Sequence, residues 1–321
     1  MTMADSSRND VSHALVNCAA SGDLAGTARL LAQGCDPLVT SAALHYAAQN
    51  GHAECVKLLI PASDPKANNS QSLRWAARAG SAECVQLLIP VSDAKALSSL
   101  ALACAAAKGH AECVKLLIPV SDPKADYSAA LRLAAGSGHA ECASLLIPVS
   151  DPCVDGSKPL TMAALNGHAE CVALLIPFSD PKANNSEALR MAAIYGHAEC
   201  VKLLISVSDP KADNSHALLW AANNGHVECA ELLIPASGSL LHNKKILASS
   251  FESGSAKMIS LMFASEPLLL TRVDLPTYLA DAVANGHAEL AALLSSIIEQ
   301  AAIAEHLLES KSHSSLPRRR L

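Results

Sequence analysis

Residues 51–60 read Gly-His-Ala-Glu-Cys-Val-Lys-Leu-Leu-Ile, and close copies of this phrase begin at Gly109, Gly138, Gly167 and Gly196, with Val replacing Ala in the copy from Gly225. The leading glycine recurs at Gly22, Gly51, Gly80, Gly109, Gly138, Gly167, Gly196, Gly225 and Gly254, always 29 residues apart, and again at Gly286 after 32. A fixed period of this length marks one supersecondary unit stacked many times. Each unit in such a chain touches only its neighbours. The product is a long surface rather than one catalytic cleft, so no enzyme activity and no catalytic residue are expected.

Around the phrase, each unit reads as two helices. In the copy that begins at Ser186, Leu189, Ala192 and Ala193 share one helical face. Gly196 is expected to stop that helix with a positive φ. The second helix follows at once, with Val201, Leu204 and Ile205 as its apolar stripe and Glu199 and Lys202 paired outside at i,i+3. Ser186 and its counterparts Ser12, Ser41, Ser70, Ser99, Ser128, Ser157 and Ser215 are expected to cap the first helices. Prolines at 61, 90, 119, 148, 177 and 235 are expected to end the second helices. The Ser-Asp-Pro steps from Ser63, Ser121, Ser150, Ser179 and Ser208 read as turns in which each aspartate organises its own loop.

The pattern resembles the ankyrin repeat. The resemblance rests on Leu44-His-Tyr-Ala-Ala48, Lys158-Pro-Leu-Thr-Met-Ala-Ala164, the phrase 51–60 and the first loop, Gly34-Cys-Asp36. It covers about Ser12 to Leu308. It implies an all-α helix-turn-helix solenoid of about ten units. The family unit is about 33 residues. The four residues missing here fall in the loop that otherwise builds a β-hairpin finger, so the fingers are expected to be short. The family's Thr-Pro-Leu-His opening is mostly replaced, with Arg74, Arg132 and Arg190 at the histidine position.

His-x-x-Cys recurs at His52/Cys55, His110/Cys113, His139/Cys142, His168/Cys171, His197/Cys200 and His226/Cys229. Singly, such a pair could offer zinc ligands or an activated thiol. Other units hold Asp23, Ser81 or Ser255 in the histidine slot, all helix N-cap residues. They hold Gly26, Met258 or Leu290 in the cysteine slot, all small or apolar. The histidines therefore read as helix starters, the slot as one that tolerates serine, and the thiols as small core hydrophobes. No metal and no cofactor are expected.

Half of the 321 residues are apolar, 3% are aromatic, and the net charge is −6. There is no global basic footprint for nucleic acid and no apolar run long enough for a membrane span. Eleven cysteines read as reduced thiols, so a cytoplasmic location is expected, with export to a host cell by a non-classical route as the alternative. Residues 1–11 are expected to be a flexible tail without a secretory signal. The solenoid is expected over 12–310, with a degenerate C-terminal cap from 237. Residues 311–321, with Arg318-Arg-Arg320, are expected to form a flexible basic tail.

The pair before each glycine varies while its surroundings hardly change. These residues include Gln49, Asn50, Arg78, Lys108, Leu165, Asn166, Ile194, Tyr195, Asn223 and Asn224, with Trp75 and Trp220 three residues earlier in their units. By resemblance they line a concave helical face. The expected function is a monomeric scaffold that binds a partner protein there. A bacterial effector acting in a host cell is an alternative, and a metal-dependent protein or enzyme built on the His/Cys rows ranks below both.

Overall fold

The computed structural model describes residues 3–238 and 244–314, and every regular element among them is helical. The contacts divide the chain into two compact units, Met1–Asn184 and Asn185–Leu321.

The N-terminal unit opens with helices Met3–Ser21 and Leu24–Leu31. Five helix pairs follow: Pro37–Gln49 with Ala53–Leu59, Ala67–Ala79 with Ala82–Leu88, Ala96–Ala107 with Ala111–Leu117, Ala125–Gly136 with Ala140–Leu146, and Val154–Leu165 with Ala169–Leu175. First helices pack on first helices, and second helices pack on second helices. Small side chains make this close layering possible. The Ala-Ala pairs at 47–48, 76–77, 105–106, 134–135 and 163–164 have no exposed surface. Leu44, Leu73, Leu102, Leu131 and Leu160 on the first helices face Leu59, Leu88, Leu117, Leu146 and Leu175 on the second, all fully buried. Each such leucine contributes about 1.5–3 kcal/mol relative to exposure.

The glycine turns form as expected. The His52 N–H reaches the Ala47 carbonyl at 2.9 Å and the Gly51 N–H reaches Ala48, with Gly51 at φ +77°. This double closure with a left-handed glycine leaves few helix-end carbonyls unmet.

The loops differ from the sequence expectation in two ways. First, the serines do not cap their own helices. Asn68, Asn69 and Ser70 all have positive φ, and the same left-handed turn recurs at Leu97–Ser99, Asp126–Ser128 and Asp155–Ser157. Ser70 is thereby turned toward the far end of its unit, where its Oγ accepts the Asp93 N–H at 2.8 Å. Ser41, Ser99, Ser128 and Ser157 do the same for Asp64, Asp122, Asp151 and Asp180 at 2.8–3.0 Å. Second, the prolines do not end the helix directly. The α-helix stops one residue earlier, and Ile-Pro-x forms a 3₁₀ turn, as at Ile60–Ala62. In these turns Ile60, Ile118 and Ile176 are half-buried, whereas Ile147 is buried.

The aspartates organise their loops as expected. Asp64, Asp93, Asp122 and Asp180 each accept the N–H two residues on, at 2.9–3.0 Å. No strand forms in these loops among the described residues.

The division between units falls in the left-handed turn Asn184-Asn185-Ser186. The C-terminal unit continues with Ala183–Ile194 and Ala198–Leu204, Ala212–Asn223 and Val227–Ser237, Lys244–Glu252 and Ala256–Ser265, and Leu275–Ala284 and Ala288–Ser314. Here Leu189, Ala192, Ala193, Cys200, Val201 and Leu204 are buried, and Ile205 is half-buried. Pro235 lies inside its helix rather than ending it, because Ser237-Gly238 replaces the Ser-Asp-Pro step. In the degenerate ninth repeat, Phe251 stands where other units have alanine, and its ring stacks on Tyr278 at 3.8 Å.

Two end segments differ from the tails expected. The first helix reaches back to Met3, since residues 3–11 contain no Gly or Pro to break it. The last helix runs on to Ser314. Arg318-Arg-Arg320 lies outside the described residues.

Candidate protein-binding face

The face is built where the first helices meet their glycine turns. Bridging histidines define its edge. Nε2 of His52, His110, His139 and His168 lies 3.0–3.2 Å from the carbonyl of Ala20, Arg78, Ala107 and Gly136, each at the end of the preceding first helix. In the C-terminal unit, His226 does the same to Ile194 at 3.0 Å. The histidine ring is not a helix cap; it spans to the neighbouring repeat and serves a carbonyl that its own helix leaves unmet. The ring also rests on the preceding glycine. A Cβ on Gly138 would meet His168 Nδ1 at 2.6 Å. Asp23 and Ser255 in that slot do cap their helices in the expected way.

The cysteine row lies beneath. Cys55, Cys84, Cys113, Cys142, Cys171, Cys200 and Cys229 are at most 1% exposed. Burial pushes the Cys113, Cys200 and Cys229 thiols up to about 11. A thiol that resists ionisation is a poor nucleophile and a poor metal ligand. These cysteines act as core hydrophobes.

Most of the varying side chains lie outside this framework. In the N-terminal unit Asn50, Arg78, Lys108 and Asn166 are exposed, and Gln49, Trp75 and Leu165 are half-buried. The Arg78 guanidinium sits 5.2 Å from the Trp75 ring centroid, and the His45 ring meets Trp75 edge-on at 5.7 Å. Burial, and then Arg74, holds the His45 imidazole below the usual histidine range. Two of the asparagines have framework duties. Asn50 donates to Ala20 at 2.7 Å and Asn166 donates to Gly136 at 2.6 Å, the same carbonyls that the histidines reach.

In the C-terminal unit Tyr195 is 56% exposed, and its ring stacks on His197 at 6.4 Å. Ile194 is half-buried and Asn223 exposed. Asn224 donates to the Ile194 carbonyl at 2.9 Å. Trp220 is half-buried, and its indole N–H donates to His216 Nε2 at 2.8 Å, while His216 Nδ1 lies 3.1 Å from an Asp213 carboxylate oxygen.

Leu133, 40% exposed, and Cys104 occupy the Trp75 position of their units, which Tyr46, Met162 and Met191 fill in others. The 29-residue register would have located both, but neither is aromatic, and aromatic character drew attention to Trp75 and Trp220.

A family model described as Ankyrin repeats (3 copies) matches residues 15–99, 73–154, 100–185 and 191–306. Among solved structures, the human ASB11 ankyrin repeat domain is similar at 22% identity and a TM-score of 0.47, over 64% of this chain and 96% of that one. No curated protein sequence matches. The chain belongs to the ankyrin-repeat family.

Proposed function

We propose that this chain is a non-enzymatic scaffold that holds a partner protein against its row of first helices. Ankyrin repeats are in general protein-interaction modules. One observation carries the assignment to the row. The side chains that vary between units, those of Arg78, Lys108, Leu165, Ile194 and Tyr195, lie outside the recurrent hydrogen bonds between repeats, to which Arg78 and Ile194 give only their carbonyls, whereas most loops repeat one Asp-x-Lys turn. A surface that specifies a partner must differ from place to place. Gln49 and Trp75 belong to the row of the N-terminal unit, and Trp220 and Asn223 to the row of the C-terminal unit. Asn50, Asn166 and Asn224 add to it with amides already engaged on their neighbours. Preformed helices lose little freedom on binding, which favours affinity. Seven buried thiols support a reducing, cytoplasmic setting.

The test is calorimetric titration of a partner isolated from the source organism. Arg78→Glu, Lys108→Glu and Tyr195→Ala are each expected to weaken binding with an unchanged melting temperature. Dominant effects from the loop variants Lys124→Ala and Lys182→Ala, with Tyr195→Ala silent, would move the site to the loops.

A further inference from the structure

In the N-terminal unit, beyond the left-handed turns, residues 41–50, 70–79, 99–108, 128–137 and 157–166 carry the cations Arg74, Arg78, Lys108, Arg132 and Lys158 and no acid, while Asp126 and Asp155 lie in the turns at the helix starts. The second helices are mixed, with Glu54, Glu83, Glu112, Glu141 and Glu170 beside Lys57 and Lys115. The cations of the row stand in a chain whose net charge is −6. Arg132 has its own carboxylate, Asp126, at 3.7 Å. Arg74, Arg78 and Lys108 form no ion pair among the described residues. One Arg74 nitrogen donates to the Asn68 carbonyl at 2.8 Å, and its buried Nε has no partner.

The three cations form one cluster. All act on the half-buried Cys104 thiol. Arg74 and Arg78 are one helical turn apart, about 6 Å along the axis, and Lys108 is on the neighbouring helix, roughly 8–10 Å away. The Arg78 guanidinium lies over the Trp75 ring, 5.2 Å from its centroid, a stacking that leaves a guanidinium's fork of donors available. Leu133, 40% exposed, holds the Trp75 position two repeats on.

We propose that the first-helix row at Arg74, Trp75, Arg78 and Lys108 receives a carboxylate-rich peptide segment of the partner; this rests on the row being the binding face. An extended peptide advances about 3.3 Å per residue, so side chains two residues apart match the spacing of the arginines. Arginine and carboxylate then meet fork to fork. The cluster is too small, and the chain too acidic, for the phosphate-tracking stripe that a nucleic acid needs.

The test uses the full chain and fluorescein-labelled hexaglutamate, with hexaglutamine and a single-stranded hexanucleotide as comparisons. Hexaglutamate is expected to bind and hexaglutamine is not. Arg78→Glu with Lys108→Glu is expected to weaken binding by about tenfold or more, and added salt to weaken it in the wild type. Lys57→Glu with Lys115→Glu, which changes the total charge equally on the second helices, is expected to leave it unchanged. Equal loss in both double variants, no binding of hexaglutamate, or tighter binding of the oligonucleotide through the same cations would each overturn the proposal. A random peptide library selected on the same chain separates the two readings. Neutral peptides that lose binding on Tyr195→Ala or Arg78→Gln would end the acidic assignment and keep the face. Peptides lost only on second-helix substitution would end both.

Discussion

The proton on each bridging histidine sets what that residue contributes. A carbonyl only accepts, so Nε2 must carry hydrogen at His139 and His168. The Ala107 carbonyl takes its side-chain bond from His139 alone, whereas Gly136 also receives Asn166. His139→Ser is therefore expected to cost about 1 kcal/mol in urea unfolding, and His168→Ser distinctly less. Equal values for the two would show that the bridges do not bear on stability. The thiols add a pH dependence. Their ordinary value is 9.0, and the fold raises Cys113, Cys200 and Cys229 to about 11. The folded state thus holds these protons more tightly. The resulting stability is complete below 9 and is lost as pH climbs toward 11. Unfolding at a series of pH values should show that fall, and Cys113→Ala should reduce it. The cysteine role was legible because Met258 and Leu290 take the same slot. The histidine role was not, because Asp23 and Ser255 in that slot really are caps, and a bridge to a neighbouring repeat leaves no trace in one unit's letters.

At the scale of the element, the short finger was legible by counting residues, but its conformation was not. A serine before an apolar run reads as an N-cap. Three successive residues with positive φ instead aim that serine across its unit. Left-handed backbone costs about 1–2 kcal/mol per ordinary residue, and Asn and Asp bear it best. Most units place Asn or Asp first in the turn, but the third pair places Leu97 there, at φ +50° and half exposed. Leu97→Asn is expected to raise stability by about 1 kcal/mol, read as a higher melting temperature. A loss of stability would mean that the Leu97 side chain packs more favourably than its backbone is strained.

For the whole molecule, the period of 29 predicts that units are removable. Deleting Gly138–Asn166 takes out one full register of the N-terminal unit. The shortened chain is expected to fold with reduced stability, because each repeat touches only its neighbours. Truncation at Ser237 is expected to do more harm, since it strips the helices that cover the last apolar face. A folded truncation beside an unfolded deletion would contradict this. The family and the helix pairing were legible from the repeats because many copies agree in register. The binding surface was legible only as a pattern of variation; which variable side chains are engaged by the framework, such as Asn50 and Asn166, required the structure.

The central claim is that the first-helix row, and not the loops, carries recognition. The most direct measurement compares two multiple variants by calorimetry against one isolated partner. One replaces Arg78, Lys108, Leu165 and Tyr195 with alanine. The other replaces the exposed loop lysines Lys66, Lys95, Lys124, Lys182 and Lys211 with alanine. The row variant is expected to lose binding while keeping its helicity and melting temperature, and the loop variant to bind within about twofold of the wild type, as exposed charges of small individual effect should. Full binding by the row variant together with loss in the loop variant would contradict the account.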